Sequence, residues 1–237
     1  VERLYTQVLG RDADPDGIES WTNDLKTGKW EGAAVAQGFI DSTEFKNKSI
    51  GDKEYITILY RTFLNREPDA QGLKTWVKAL DEGLSRLYVF RGFAESNEFT
   101  DICEQYHIKR GNAVLTEAKD QNEGVTKFVV RCYRLCLNRN PDESGLNTWC
   151  IELINKTKTG KQVAYGFIFS EEFKNRNLSN AEYVKVLYRV FMDREADAEG
   201  YNTWLNALQN GKSRLYVFNG FADSNEFRQI CGKYNIK

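Results

Sequence analysis

The chain has 237 residues, with 33 basic and 34 acidic side chains and a net charge of −1. That length suits one large domain or two small ones, and the balanced charge offers no basic excess for phosphate backbones, which excludes nucleic acid as a partner. No apolar run approaches the roughly 18 residues of a membrane span, so we expect a soluble protein without membrane insertion. The sequence begins at Val1 without a charged and apolar leader, and we interpret it as a segment or mature form.

Two short motifs recur four times along the chain, always in the same order. The first motif has an arginine, an aspartate, a glycine and a tryptophan at fixed spacing, and its tryptophans are Trp21, Trp76, Trp149 and Trp204. The second motif has Gly-Phe followed by Ser, Glu and Phe, and its glycines are Gly38, Gly92, Gly166 and Gly220. Such periodic self-similarity is typical of repeat architectures.

The copies pair into two halves. Successive tryptophans of the first motif are 55, 73 and 55 residues apart, so the second half follows the first at an offset of 128 residues. We predict a first lobe at 1–109, made of copies at 1–51 and 52–109, and a second lobe at 125–237, made of copies at 125–179 and 180–237. The polar run at 110–124, which has two glycines and no apolar stripe, is the predicted connection.

The first motif predicts a helix that begins at its aspartate. Leu73, Trp76 and Leu80 are three and seven residues apart, which places them on one face of a helix. The aspartate precedes this apolar stripe and suits an N-cap, in which its carboxylate accepts from free backbone N–H groups. The predicted caps are Asp14, Asp69, Asp142 and Asp197.

The second motif predicts two further helices. One helix opens at Ser85 and has Val89 and Phe93 on one face, and Ser96 then resembles the N-cap of the next, with Glu98 in its first turn. Each copy thus reads as about four short helices. We predict an all-α fold, with four repeats of a short-helix bundle unit arranged AB-AB as two similar lobes.

The Arg-Asp-Gly-Trp tetrad has a functional and a structural interpretation. It could form a fourfold binding site with tryptophan as a platform, but Trp76 shares its stripe with leucines, which favours a structural role for all four tryptophans. The run from Asp12 to Gly17 imitates the start of a calcium loop. Its last ligand position holds Asn23 in place of the required glutamate, so we predict no metal site.

The sequence offers little for catalysis. His107 is the only histidine, and its neighbours Tyr106 and Ile108 suggest a packed helix end. The acidic candidates Glu44, Glu98, Glu172 and Glu226 recur once per copy at a helix start, as capping residues do. We therefore expect no enzyme activity and no cofactor.

Five cysteines leave their pairing open. Cys103 and Cys231 match between the halves, whereas Cys132, Cys136 and Cys150 occur in the third copy alone. A metal cluster would need a fourth ligand that the sequence does not offer. A disulfide from Cys150 to Cys132 or Cys136 and a set of small buried thiols are both consistent with the spacing.

Aromatic residues that differ between equivalent positions are the candidates for binding. Tyr88 and Tyr216 stand where their sister copies have Ala34 and Gln162, Trp30 corresponds to Lys158, and Tyr165 corresponds to Gln37. Aromatic faces bury the C–H face of a sugar, while amide and guanidinium groups bind its hydroxyls. Lone exposed aromatics are also common without any function. The predicted sugar contacts are Trp30, Tyr88, Tyr165 and Tyr216, assisted by Arg86, Arg214, Asn97 and Asn225.

The repeated motifs carry a family resemblance. Arg-x-Pro/Ala-Asp-x-x-Gly-Leu-x-x-Trp, followed by Gly-Phe-x-x-Ser-x-Glu-Phe, resembles a bacterial extracellular domain of unknown function found in tandem on secreted clostridial proteins. It resembles, more loosely, the helical domain of phycobilisome linkers. The endings at Cys103 and Cys231 fit the clostridial subset. This resemblance implies a helical fold and a secreted or cell-surface location.

The duplicated architecture is also similar to the second, bilobed starch-binding domain of the starch adherence system proteins of gut amylosomes. That similarity implies a noncatalytic module in which two lobes contribute aromatic platforms to a groove for starch-type α-1,4-glucan or maltooligosaccharide. Other cell-surface or amylosome proteins would bind through regions outside this segment. The alternative is an extracellular protein-interaction or cell-surface assembly module, in which the same aromatics anchor a partner.

Overall fold

A computed structural model describes residues 1–236, and over that range the chain forms helices and no strand. The predicted all-α fold of four repeated bundle units is confirmed. The chain divides into two compact units, Val1–Thr116 and Glu117–Lys237. No helix in the described range is long and apolar enough to cross a membrane.

The first unit contains two copies of the repeat. Its first copy has a π-helical segment at Leu4–Leu9, followed by α1 (Pro15–Lys26), α2 (Gly32–Asp41) and α3 (Thr43–Lys46). Its second copy has α4 (Asp52–Leu64), α5 (Ala70–Asp81), α6 (Arg86–Ala94) and α7 (Asn97–Gln105). Each copy thus supplies four helical elements, as its motifs predict.

The second unit repeats this order with one addition. The short helix α8 (Ala118–Gln121) precedes α9 (Glu123–Cys132), which continues into a π-helical segment at Tyr133–Leu137. The rest of the third copy is α10 (Glu143–Ile154), α11 (Gly160–Ile168) and α12 (Glu171–Asn175). The fourth copy comprises α13 (Asn180–Met192), α14 (Ala198–Gln209), α15 (Arg214–Ala222) and α16 (Asn225–Lys233).

Side-chain caps set the starts of most helices. The Asp69 carboxylate accepts from the backbone N–H of Gly72 at 2.8 Å, and Asp14, Asp142 and Asp197 cap their helices in the same way. Ser85 and Ser96 cap α6 and α7. These contacts confirm the helix starts that the motifs predict, because each cap satisfies an N–H group that the helix itself leaves free.

Each unit has its own hydrophobic core around one helix that is buried along most of its length. In the first unit this helix is α4, which buries Ile56, Leu59 and Phe63. In the second unit it is α13, which buries Leu187 and Phe191. The equivalence of the two cores explains why the 128-residue offset holds throughout the chain.

The segment at 110–124, predicted as a connection, makes contacts within each of the two units. The carbonyl of Arg110 accepts from the N–H of Ala33 at 2.7 Å, which ties this residue to the first unit. Lys119 is buried in the second unit, where its ammonium group lies 2.6 Å from Glu143 and 3.0 Å from Glu117. Most of the run thus belongs to one unit or the other, and the division falls after Thr116.

All five cysteines are buried free thiols. Burial raises the pKa of Cys132 to about 12 and the pKa of Cys103, Cys150 and Cys231 to about 11, because a thiolate is poorly solvated in these cores. The spacing allows either a disulfide or a set of buried thiols, and the structure has the buried thiols. Among residues 1–236, no three His, Cys, Asp or Glu side chains are arranged to hold a metal ion.

Candidate functional site

The repeated tetrad is built around a tyrosine that precedes its arginine by six residues. In the second copy, the Arg66 guanidinium lies over the Tyr60 ring at 5.0 Å. The Tyr60 hydroxyl sits where a Cβ on Gly72 would be, so only glycine allows this approach. The same arrangement occurs in every copy, at Tyr5, Tyr133 and Tyr188.

The tetrad arginine also joins the two motifs of a copy. The Arg66 guanidinium donates to both carboxylate oxygens of Glu98, at 2.8 and 2.9 Å, and this pairing holds the pKa of Glu98 below its usual value. The first and third copies have the same pair, whereas Arg194 in the fourth copy binds Asp197 at 2.9 Å. The arginine and glutamate of the motifs are thus engaged within the fold.

The tetrad tryptophans pack against the phenylalanine of the second motif. The rings of Trp149 and Phe167 are 5.3 Å apart, and a Cβ on Gly166 would lie 2.7 Å from the Trp149 ring. Gly92 and Gly220 are covered in the same way, but Gly38 has no atom within 4 Å of its Cβ position. These contacts describe a structural role for the four half-buried tryptophans, with one looser copy at Trp21.

Two of the predicted sugar contacts have their polar groups occupied by the fold. The Arg86 guanidinium lies 4.9 Å from the Tyr55 ring centre, 2.7 Å from Asp52 and 2.8 Å from the carbonyl of Ile50. Arg214 makes the equivalent contacts with Tyr183, Asn180 and Leu178. Each guanidinium thus contacts the segment that joins two copies of the repeat.

Tyr165 lies beside two other aromatic rings of the second unit. Its ring is 47% exposed and packs 4.6 Å from Phe169 at an interplanar angle of 31°. Both rings meet the buried Phe218 edge-on, at 5.7 and 5.4 Å. Leu215, one turn earlier on α15, is 43% exposed. We call Tyr165, Phe169, Leu215 and Phe218 the aromatic patch.

The other predicted aromatics are dispersed. Tyr216 is 52% exposed, and its ring lies 5.0 Å from the ammonium group of Lys212. Trp30 is 47% exposed at the turn between α1 and α2, whereas Tyr88 is half-buried on α6. Asn97 and Asn225 are exposed at the starts of α7 and α16, and the Asn225 amide oxygen accepts from Arg228 at 2.9 Å.

The first unit has a cleft at the position of the aromatic patch. The cleft has a volume of about 250 Å³ and lies between α2 and α6. Gln37 and Asp41 line it where the second unit has Tyr165 and Phe169, and Phe90 lines it where the second unit has Phe218. We call this space the α2–α6 cleft; it is also lined by Ile40, Phe45, Lys46, Ser49, Ile50, Tyr55, Arg86 and Leu87.

A larger cavity of about 440 Å³ lies beside Val1 and is lined by Gly32, Phe99 and Tyr106. In the second unit, Phe128 occupies the equivalent volume, since it contacts Phe227 and Tyr234 at 6.3 and 5.9 Å. The cavity is bordered by the first residues of the sequence, Val1 to Leu4, and we assign no ligand to it.

The site residues predicted from the sequence include neither the tyrosines of the tetrad nor Phe169. The tyrosines of the tetrad recur at a fixed distance from each arginine, so their spacing alone could have identified them as a fifth motif position. Phe169 replaces Asp41 at the 128-residue offset, next to the change from Gln37 to Tyr165. Comparing both changes together would have indicated a patch instead of one exposed ring.

Four overlapping segments of the chain match one family, described as a domain of unknown function (DUF4214). The matched residues are 1–49, 36–103, 113–177 and 164–231. Each segment includes one tetrad tryptophan, and the second and fourth segments begin just before the Gly-Phe motif of the preceding copy. No curated protein matches the chain.

Proposed function

The chain belongs to the DUF4214 family, and from that premise we propose that it is a noncatalytic binding module for starch-type α-1,4-glucan. Its aromatic patch supplies the main sugar platform. The module acts in a secreted or cell-surface protein, where it holds a glucan chain without cleaving it.

The observation that carries this proposal is the fixed, outward-facing ring of Tyr165. One face of the ring packs on Phe169, and its edge contact with Phe218 limits its rotation, yet 47% of the residue is exposed. A ring held in this way loses little side-chain entropy on binding, and its apolar face buries the C–H face of a pyranose. The platform is therefore organised before the sugar arrives.

Polar groups near the patch suit the hydroxyls of a sugar. Lys174 and Asn177 stand at the positions of Lys46 and Ser49, which line the equivalent cleft of the first unit. The Lys174 ammonium group pairs with Glu171 at 2.6 Å, and the Asn177 amide donates to the carbonyl of Asn175 at 3.1 Å. An ammonium group has three donors and a carboxamide both donates and accepts, so each retains capacity for a sugar hydroxyl. Tyr216 offers a further exposed ring in the same unit.

The proposal is tested by retention on insoluble polysaccharides. We expect the protein to be retained on starch and not on cellulose or xylan, and to release no reducing sugar during prolonged incubation. Equal retention on all three polymers would contradict recognition of α-1,4-glucan. Release of reducing sugar would contradict the noncatalytic assignment.

One observation favours a second function, a protein-interaction module for cell-surface assembly. Leu215 leaves an aliphatic side chain 43% exposed beside the aromatic rings, and protein interfaces bury such side chains around aromatic anchors. Under this alternative the patch anchors a partner protein. Absence of retention on starch, cellulose and xylan alike would favour this alternative.

A further inference from the structure

The surface beside the buried phenylalanine, Phe90 or Phe218, is an open cleft in the first unit and is covered by two aromatic rings in the second unit. In the second unit, the rings of Tyr165 and Phe169 lie against Phe218. In the first unit, the equivalent Gln37 and Asp41 have no rings, and the α2–α6 cleft of about 250 Å³ remains beside Phe90. Because aromatic rings fit at this position of the fold in the second unit, we expect the cleft of the first unit to accommodate a ring.

We propose that the α2–α6 cleft of the first unit is a binding site for a single phenol ring, carried by a small molecule or by a tyrosine side chain. Ile40, Leu87 and Phe90 supply apolar walls for the ring. Gln37 stands at its mouth and offers an amide that donates to and accepts from a hydroxyl. An apolar space with a few polar groups at its edge is the usual form of a small-ligand site.

The charges around the cleft select a neutral ring. The Asp41 carboxylate lies 3.2 Å from the Lys46 ammonium group, and the Arg86 guanidinium lies 2.7 Å from Asp52. Each charge at the mouth already has an opposite partner. A ligand with its own ammonium or carboxylate would have to compete with these pairs, whereas a phenol enters without doing so.

This site goes beyond the proposed glucan function and does not depend on it. The glucan platform is the aromatic patch of the second unit, and the phenol site lies within the first. Starch retention can therefore fail while phenol binding succeeds, and the reverse is equally measurable.

The test is a titration of the full chain followed by amide NMR, with p-cresol and N-acetyltyrosinamide as probes. We expect p-cresol to shift the Gln37 side-chain amide and the backbone amides of Ile40 and Leu87. Because the ligand has few atoms, the dissociation constant should be on the order of 1 mM. Shifts with both probes mean that a tyrosine side chain also enters, and shifts with p-cresol alone mean that small free phenols do.

Two reciprocal double variants exchange the residues of the α2–α6 cleft with those of the aromatic patch. Gln37→Tyr with Asp41→Phe fills the cleft as in the second unit, and we expect p-cresol to bind at least tenfold more weakly. Tyr165→Gln with Phe169→Asp opens the second unit, and we expect a second set of shifts there. If the opening variant does not fold, the filling variant carries the test alone, since it only adds rings at the surface.

Three results would overturn the proposal. Wild-type protein that gives no shifts with either probe has no phenol site. A filling variant that binds p-cresol as tightly as wild type places the binding elsewhere. Displacement of p-cresol from the cleft by maltose makes the cleft a sugar site instead.

Discussion

At the surface between α2 and α6 the first unit has Gln37 and Asp41, whereas the second unit has Tyr165 and Phe169 between α11 and α15. Phe90 and Phe218 lie beneath these pairs and are both buried. Two substitutions thus turn a polar-rimmed cleft into an aromatic patch on the same framework. The same buried phenylalanine thus lies beneath a polar surface in one unit and beneath an aromatic surface in the other.

One segment of the framework is nearly identical in the two units. Residues 85–99 and 213–227 are identical at thirteen of fifteen positions, and they form the third and fourth helices of the second and fourth copies. These residues supply buried contacts, caps and the arginine that stacks on Tyr55 or Tyr183. Constraint from packing therefore accounts for the shared residues, and binding is expected where the units differ.

Cysteine reactivity should give the largest contrast between folded and unfolded protein. Cys103 is the single thiol of the first unit, and the second unit has four, all buried with a raised pKa. At pH 8 we expect the native thiols to react with a disulfide reagent at least about a hundredfold more slowly than free cysteine, because so little thiolate forms.

Unfolding in urea should then release one thiol with the first unit and four with the second. Cys103→Ser is the control, since it removes the signal of the first unit alone. A native protein that reacts rapidly at any thiol would contradict the burial of these cores.

Removing the phenylalanine beneath each surface compares the two packings directly. We expect Phe218→Ala to lower the free energy of unfolding of its unit by about 3–5 kcal/mol. Phe90→Ala should cost about 0.5–1.5 kcal/mol less, because Phe218 contacts the extra rings of Tyr165 and Phe169 while Phe90 borders the open cleft. Urea unfolding followed by circular dichroism measures both; a larger loss for Phe90→Ala would contradict the comparison.

The glycine of the second motif should separate the first copy from the third. Gly166→Ala places a methyl group 2.7 Å from the Trp149 ring, so we expect a loss of about 1–3 kcal/mol. Gly38→Ala meets no atom within 4 Å and should stabilise the helix by about 0.5–1 kcal/mol. Urea unfolding measures the expected loss of stability in Gly166→Ala and the expected gain in Gly38→Ala. Equal losses in the two variants would refute the looser packing at Trp21.

Sequence reasoning worked best where a signal is local. Asp69 and Ser96 lie next to the helices they cap, so their spacing was sufficient to predict them. It could not show the contacts of Arg86, whose partners Asp52 and Ile50 lie 34 and 36 residues earlier. Nothing local shows that this guanidinium is occupied. Tyr165 was found as an exposed ring, but its packing on Phe169 and Phe218 depends on tertiary contacts across two copies.

The smallest expected effect concerns the ion pair that joins the two motifs. Arg139 donates to Glu172 at 2.5 and 3.0 Å, and this pairing lowers the pKa of Glu172. A carboxyl with a lowered pKa in the folded state stabilises the fold above its ordinary pKa of about 4.3, and this contribution is lost as the pH falls through the lowered value.

We therefore expect Glu172→Gln to reduce stability by less than about 1 kcal/mol at pH 7, because the pair is solvent-exposed. The difference from wild type should vanish in acid. Unfolding curves recorded between neutral and acidic pH give this comparison; a difference that grows as the pH falls would have the wrong sign.

The most direct measurement is a calorimetric titration with maltoheptaose of wild-type protein, Tyr165→Ala and the matched variant Gln37→Ala. If the aromatic patch is the sugar platform, Tyr165→Ala should bind at least about tenfold more weakly, since it loses the ring face that buries the C–H face of a pyranose, while Gln37→Ala binds as wild type does. Unchanged affinity in a folded Tyr165→Ala variant, or no binding by wild-type protein, would contradict the proposed function.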